Sequence, residues 1–190
     1  GQTLSQLETL CKELEMPRFA AKQIARWLYD KHVPTIDAMS NLSARHRALL
    51  AETHEVGLVA PEKESISVDG TKKYLYRTSQ GHYIESAYIP DGDRATLCVS
   101  SQAGCRMGCR FCASTLDGLT RNLRPSEMLD QIYRIQRSTG ERVSNVVVMG
   151  SGEPMDNYDN LVRFIRLLSD ENGLNISQRN ITVSTCGIVP

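Results

Sequence analysis

The chain has 190 residues and carries 22 basic against 22 acidic side chains, a formal net charge of zero. That balance excludes a polybasic nucleic-acid binder of the histone kind, though not a local basic patch. A hydrophobic content of 41% with 23% charged residues is globular composition, and no apolar run is long enough to cross a bilayer. No basic-then-apolar leader opens the sequence, so a cytoplasmic location without a membrane partner is expected. In such a compartment the six cysteines need a role other than a disulfide framework.

Residues 1–58 read as a small helical domain. Leu4, Leu7, Leu10, Cys11 and Leu14 recur at helical spacing. Pro17 is expected to open a second helix burying Phe19, Ile24, Trp27 and Leu28, and Ser43 to cap a third. The period then drops to two. Over residues 59–93 Ile66 and Val68, Tyr74 and Tyr76, and Tyr83 to Ile89 are separated by turn signals at Asp69-Gly70, Ser79-Gln80-Gly81 and Pro90-Asp91-Gly92-Asp93. This predicts a β-meander extension. Residues 94–190 alternate strand, loop and helix. A strand at Thr96 to Ser100 is followed by a helix from Pro125 to Gly140. An apolar strand from Val143 to Met149 comes next, expected to be buried on both faces, then a helix from Asn157 to Glu171 and a strand at Ile181 to Thr185. The order predicts an α/β unit with a parallel sheet, whose functional loops gather at the C-terminal strand ends.

Three cysteines fall within eight residues, as Cys105-x3-Cys109-x2-Cys112. A structural zinc site commonly uses two Cys-x2-Cys knuckles, and here there is one. Three thiolates on an iron–sulfur cube leave one iron open to bind something else. This spacing is the one that marks the radical S-adenosylmethionine (SAM) enzymes, and it implies a [4Fe-4S] cluster chelated at its open iron by SAM. Phe111, before the last cysteine, fits that superfamily. Gly152-Glu153-Pro154 follows the next strand, where the superfamily holds the SAM amino group, and Ser184 ends the third strand as a candidate ribose contact.

The sequence resembles one family more closely. Thr96 to Cys105, with Gly108-Cys109, Phe111-Cys112, Arg121-Asn122-Leu123, Gly152-Glu153-Pro154 and Ser184 to Pro190, is similar to the dual-specificity RNA methyltransferases that act on adenine C2 of 23S rRNA and tRNA. The relative that methylates adenine C8 and confers antibiotic resistance is the runner-up; a non-enzymatic metal-binding module is the alternative from another class. The resemblance implies a small helical accessory domain, a β-extension and the first half of a partial (β/α)6 barrel. It implies Cys105, Cys109 and Cys112 as cluster ligands and Gly152, Glu153 and Ser184 as SAM contacts. Glu85 would be the proton acceptor, and Cys98 the thiol that resolves a covalent RNA adduct by forming a disulfide.

The family reaction runs through a methylated cysteine. A deoxyadenosyl radical abstracts hydrogen from its S-methyl group, and the carbon radical adds to the adenine ring, which polar methyl transfer cannot attack. The family places that cysteine near the C-terminus, in a segment outside this sequence. The chain is therefore expected to be truncated and inactive by itself. Ser151 stands where the family usually has Met before Gly-Glu-Pro. Cys186 reads as a small core residue. The expected partners are the two RNA substrates and an electron donor such as flavodoxin, with the protein a monomer. Arg106, Arg110 and Arg121 flank the site in a stretch with more arginines than acids, and are candidate phosphate contacts.

Overall fold

The structure is a computed structural model that describes residues 1–56, 61–78, 80–92 and 94–189. The expected boundary near residue 58, the turn residues Ser79 and Asp93, and Pro190 lie outside the described residues.

Three helices, α1 (Leu4–Glu13), α2 (Phe19–Tyr29) and α3 (Ala44–Thr53), form the N-terminal module. A capping box starts α1: the Gln6 N–H donates to Thr3 Oγ1 and the Thr3 N–H to Gln6 Oε1. Ser43 caps α3 by accepting from the His46 N–H at 3.2 Å, as its sequence position predicts. Leu7, Cys11, Ala21, Ile24, Met39 and Leu50 are buried in the module's own core.

Two expectations need correction here. Phe19 is 64% exposed, because it opens α2 on the side away from that core. Trp27 is half-buried at the core's edge, where its indole N–H donates to Asn41 Oδ1 and Lys31 Nζ lies 3.7 Å from the ring centroid.

The remaining chain forms one six-stranded sheet in the order β1-β2-β3-β4-β7-β8. Strands β1 (Pro61–Ile66), β2 (Lys72–Arg77), β3 (Tyr83–Asp91) and β4 (Arg94–Cys98) run as an antiparallel meander. Strands β7 (Asn145–Val148) and β8 (Ile181–Val183) then add in parallel to β4, through crossovers containing α4 (Pro125–Thr139) and α5 (Tyr158–Ser169). The boundary expected between extension and barrel thus falls inside a continuous sheet. A separate two-stranded hairpin, β5 (Gln102–Gly104) with β6 (Leu119–Asn122), brackets the cysteine loop.

Helix α4 begins at Pro125 and ends on Gly140, whose φ of +73° gives the left-handed cap. Helices α4 and α5 cover one sheet face. Leu97, Val99, Val146 and Val148 pack there with Met128, Ile132, Phe164 and Leu168 in a single apolar cluster. β7 is therefore buried on one face, not two: Val146 and Val148 point into this core while Asn145 and Val147 turn to the other side, half-buried.

The helical module docks on the outside of α4 and α5. Tyr29 packs against both cores, with its ring 6.5 Å from that of Tyr133. Arg163 of α5 donates to the Gly1 carbonyl and to Gln6 Oε1, each at 2.9 Å.

Candidate active site

The polar stretch Ser100-Ser101-Gln102 leaves β4 and is wholly buried. Buried polar groups must find partners, and these tie the loop after β4 to β3, to α4 and to the loop after β7. Ser100 exchanges two backbone hydrogen bonds with the Gln131 amide of α4, at 2.9 and 3.0 Å. Its hydroxyl donates to the Glu85 carbonyl at 2.6 Å and accepts from the Ser151 N–H at 2.9 Å. The Ser151 carbonyl accepts from the N–H groups of Ser101 and Gln102 at 3.0 and 3.1 Å. The Asn157 amide donates to the carbonyls of Ser101 and Leu123, both at 2.9 Å. Gly150 permits this close approach, since a Cβ there would lie 2.7 Å from Ser100 Oγ.

The three clustered cysteines occupy the loop between β5 and β6, all as free thiols. Gly104, at φ +74°, lets the loop close: its added Cβ would meet the Gly118 carbonyl at 2.1 Å, and the Cys105 N–H donates to that same oxygen at 3.0 Å. Cys105 is buried at the loop's base, Cys109 and Cys112 are half-buried, and Phe111 is 95% exposed. No three His, Cys, Asp or Glu among the described residues approach closely enough to grip one metal ion. Three thiolates on one loop can each bind a different iron of a cubane cluster and leave the fourth iron open, whereas a structural zinc ion commonly takes four ligands at one centre.

The second loop follows β7. Gly152 has a φ of +104° and lies against the Gln102 side chain. The Glu153 carboxylate is buried and braced within the chain. Its Oε1 accepts from the Met155 N–H at 2.9 Å and its Oε2 from the Cys186 N–H at 2.7 Å. Burial opposes its ionisation, but the N–H groups of Cys186 and Met155 and the Thr185 and Cys186 side chains outweigh it and hold the carboxyl below its ordinary range.

Glu153 thus ties the loop after β7 to the one after β8, so its side chain orders the rim. Among the described residues the Gly152 carbonyl accepts no hydrogen bond, whereas those of Ser151 and Glu153 do. Ser184 is exposed just beyond β8, its N–H on the Val148 carbonyl at 3.2 Å. Cys186 is exposed at this rim, not in the core. Its thiol interacts with Glu153, because the last strand ends at Val183 and leaves it in the following turn.

Cys98 and Glu85 sit on the sheet face opposite the helices. Ala87 pairs with Cys98, which pairs in turn with Val147, and Glu85 lies two residues along β3 on the same side. Burial pushes the Cys98 thiol up, only partly offset by the Met149 N–H, so it stays protonated at neutral pH. Glu85 is half-exposed and forms an ion pair with Lys73 Nζ at 2.8 Å.

The three arginines differ. Arg121 forks onto the buried Glu127 at 2.6 and 2.9 Å, an internal ion pair that leaves its guanidinium little surface for phosphate. Arg106 forks onto Asp156. Arg110 is exposed, with no ion pair among the described residues. Asp156, Asn157 and the hub role of Gln102 are not visible in the sequence. The only hint is three successive polar residues between an apolar strand and the first cysteine.

Comparison with known proteins bears on both halves. Residues 1–56 match the ribosomal RNA large subunit methyltransferase N-terminal domain and residues 99–190 the radical SAM superfamily. The chain is 59% identical over 186 residues to a probable dual-specificity RNA methyltransferase RlmN of Lachnospira eligens, covering 97% of this chain and 53% of that one. It is 57% identical to the protein of the same name from Lachnoclostridium phytofermentans, over 99% of this chain and 53% of the relative. A crystal structure of a radical SAM methyltransferase from Sphaerobacter thermophilus superposes with a TM-score of 0.90 at 41% identity, over 98% of this chain and 56% of that one. The chain spans about half the length of the curated relatives it matches. The chain thus joins a segment that matches the ribosomal RNA large subunit methyltransferase N-terminal domain to one that matches the radical SAM superfamily, and over nearly its whole length it is similar to probable dual-specificity RNA methyltransferases RlmN.

Proposed function

We propose that this chain forms the cofactor-binding half of an RNA methyltransferase that places a methyl group on adenine C2 of 23S rRNA and tRNA. The observation that carries this reading is the meeting of the free-thiol loop 105–112, the Gly152-Glu153 turn and Ser184 around one sheet rim, with Cys98 and Glu85 on the open face behind it. Cys105, Cys109 and Cys112 would hold a [4Fe-4S] cluster, and Gly152, Glu153 and Ser184 would receive SAM. Bound there, the pair would supply one-electron radical chemistry, which amino-acid side chains lack.

The chain's own groups prepare the surroundings. The protonated Cys98 thiol sits half-buried beside Val147, ready to lose its proton only when called on to resolve an adduct. The Glu85 carboxylate, held on the same face by Lys73, is the proton acceptor. Exposed Arg110 is the phosphate contact of first choice. The working protein is a cytoplasmic monomer, supplied with electrons by a small carrier such as flavodoxin. No helix among the described residues is long and apolar enough to cross a membrane.

Anaerobic reconstitution tests the reading. The chain should take up about four irons and four sulfides and show a reduced-cluster electron paramagnetic resonance (EPR) signal that changes on adding SAM. Cys109→Ala should lose the signal. Uptake of zinc alone, or a cluster indifferent to SAM, would sink it.

A further inference from the structure

The cysteine loop and the loop after β7 come from different parts of the chain, yet a ligand shared between them needs both at a fixed separation. A chain of polar contacts spans that gap, beside a single hydroxyl contact from Ser114 Oγ to Ser151 Oγ at 3.3 Å. Gln102 is 0% exposed and uses its whole amide. Its Oε1 accepts from the Glu153 N–H at 2.8 Å, and its Nε2 donates to Asn122 Oδ1 at 2.7 Å and to Asp156 Oδ2 at 3.0 Å. Asp156 in turn accepts the fork of Arg106, Nε at 2.9 Å with the Nη2 contact beside it. Arg106 follows Cys105 directly. Gly152 completes the seat, since a Cβ there would lie 2.5 Å from Gln102 Cβ.

The Arg106 side chain is 61% exposed and that of Asp156 only 10%. An ion pair with one partner so open adds little to folding. A planar two-point fork nevertheless fixes direction as well as distance, which a lysine point charge cannot do. The cost to the fold is small and the geometric consequence large.

We propose that Gln102, Asp156 and Arg106 are positioning residues that hold the three-cysteine loop at a set distance from the Gly152–Glu153 main chain, so that one amino-acid ligand can meet both. The proposal rests on the cluster and SAM assignment above. It also gives Arg106 a role different from RNA contact.

The test reconstitutes the wild-type chain, Arg106→Lys, Asp156→Asn and Gln102→Glu anaerobically. Three quantities are read: iron and sulfide per chain, the melting temperature without cluster, and the SAM concentration giving half the change in the reduced-cluster EPR signal. Arg106→Lys and Asp156→Asn should keep cluster content and melting temperature but need about tenfold more SAM, the effect of losing one directed charge-assisted contact. Gln102→Glu, which cannot donate to Asn122 or Asp156, should need more still. Wild-type SAM requirements in Arg106→Lys and Asp156→Asn overturn the positioning role alone. So does a loss of cluster content that merely tracks a loss of melting temperature. A wild-type cluster whose signal ignores SAM overturns the assignment beneath it as well.

Discussion

The six-stranded sheet presents two faces built from alternate residues of the same strands, and they obey different rules. Leu97, Val99, Val146 and Val148 face α4 and α5 and are almost fully buried. Thr96, Cys98 and Val147, their immediate chain neighbours, face the other way with Glu85 of β3 and stay half-buried. The first face supplies stability through apolar area. The second leaves a thiol and a carboxylate on one side of the sheet, Glu85 lying two residues along β3 from the partner of Cys98. Adjacent residues in a strand can thus be bound by unrelated constraints.

The sharpest way to break this contrast is to truncate neighbours on opposite faces. Leu97→Ala should cost about 2–5 kcal/mol in denaturant unfolding, whereas Cys98→Ala should cost under about 1 kcal/mol. In a chain extended to its relatives' length, Cys98→Ala should instead trap RNA covalently on the protein, seen as a nuclease-sensitive gel shift. Equal stability losses at both positions would show that the second face is also core.

The rim joining the faces depends on buried charge. Arg121→Ala leaves Glu127 buried without its fork and should cost about 3 kcal/mol. Arg121→Met tests whether apolar cover can replace the ion.

Acid should weaken the same rim more gently. Arg106 holds Asp156 below its ordinary value of 3.8; burial resists ionisation of Glu127 and Glu153, but their hydrogen-bond partners hold both below 4.5. Folded values lie under unfolded ones, so this stability is fully present above about pH 5 and is lost as pH falls through the folded values. Chemical denaturation at pH 6 and pH 4 should show the loss, and Arg121→Ala should reduce it.

The smallest effect belongs to the surface. Arg110→Ala should leave stability unchanged and lower the salt dependence of RNA binding by about one phosphate contact. An unchanged slope would remove Arg110 from the interface.

Much of this was legible in the sequence because local chemistry enforces it. The three-cysteine spacing, the Gly-Glu-Pro loop, Pro125 and Gly140 at the ends of α4, and Ser43 at the start of α3 each fulfil a local requirement. What stayed hidden depends on contacts between distant segments. Nothing near Asp156 in sequence reveals that Arg106 will reach it, fifty residues away. Cys186 reads as core by residue type, but the strand stops three residues earlier. Phe19 shows the converse: apolar identity alone does not choose a helix face.

The pairing of β3 with β4 has a consequence for how such a sequence can change length. Ala87 opposite Cys98 puts Glu85 and the thiol on one side of the sheet. A single residue inserted within β3 between Glu85 and Ala87 would turn the carboxylate toward the helices and hide it, without altering any residue's identity. An insertion at the tip between β1 and β2, around Asp69-Gly70, would only lengthen an edge hairpin. Length variation among related sequences should therefore collect at the tip and be missing from β3, with parity rather than composition setting which insertions survive.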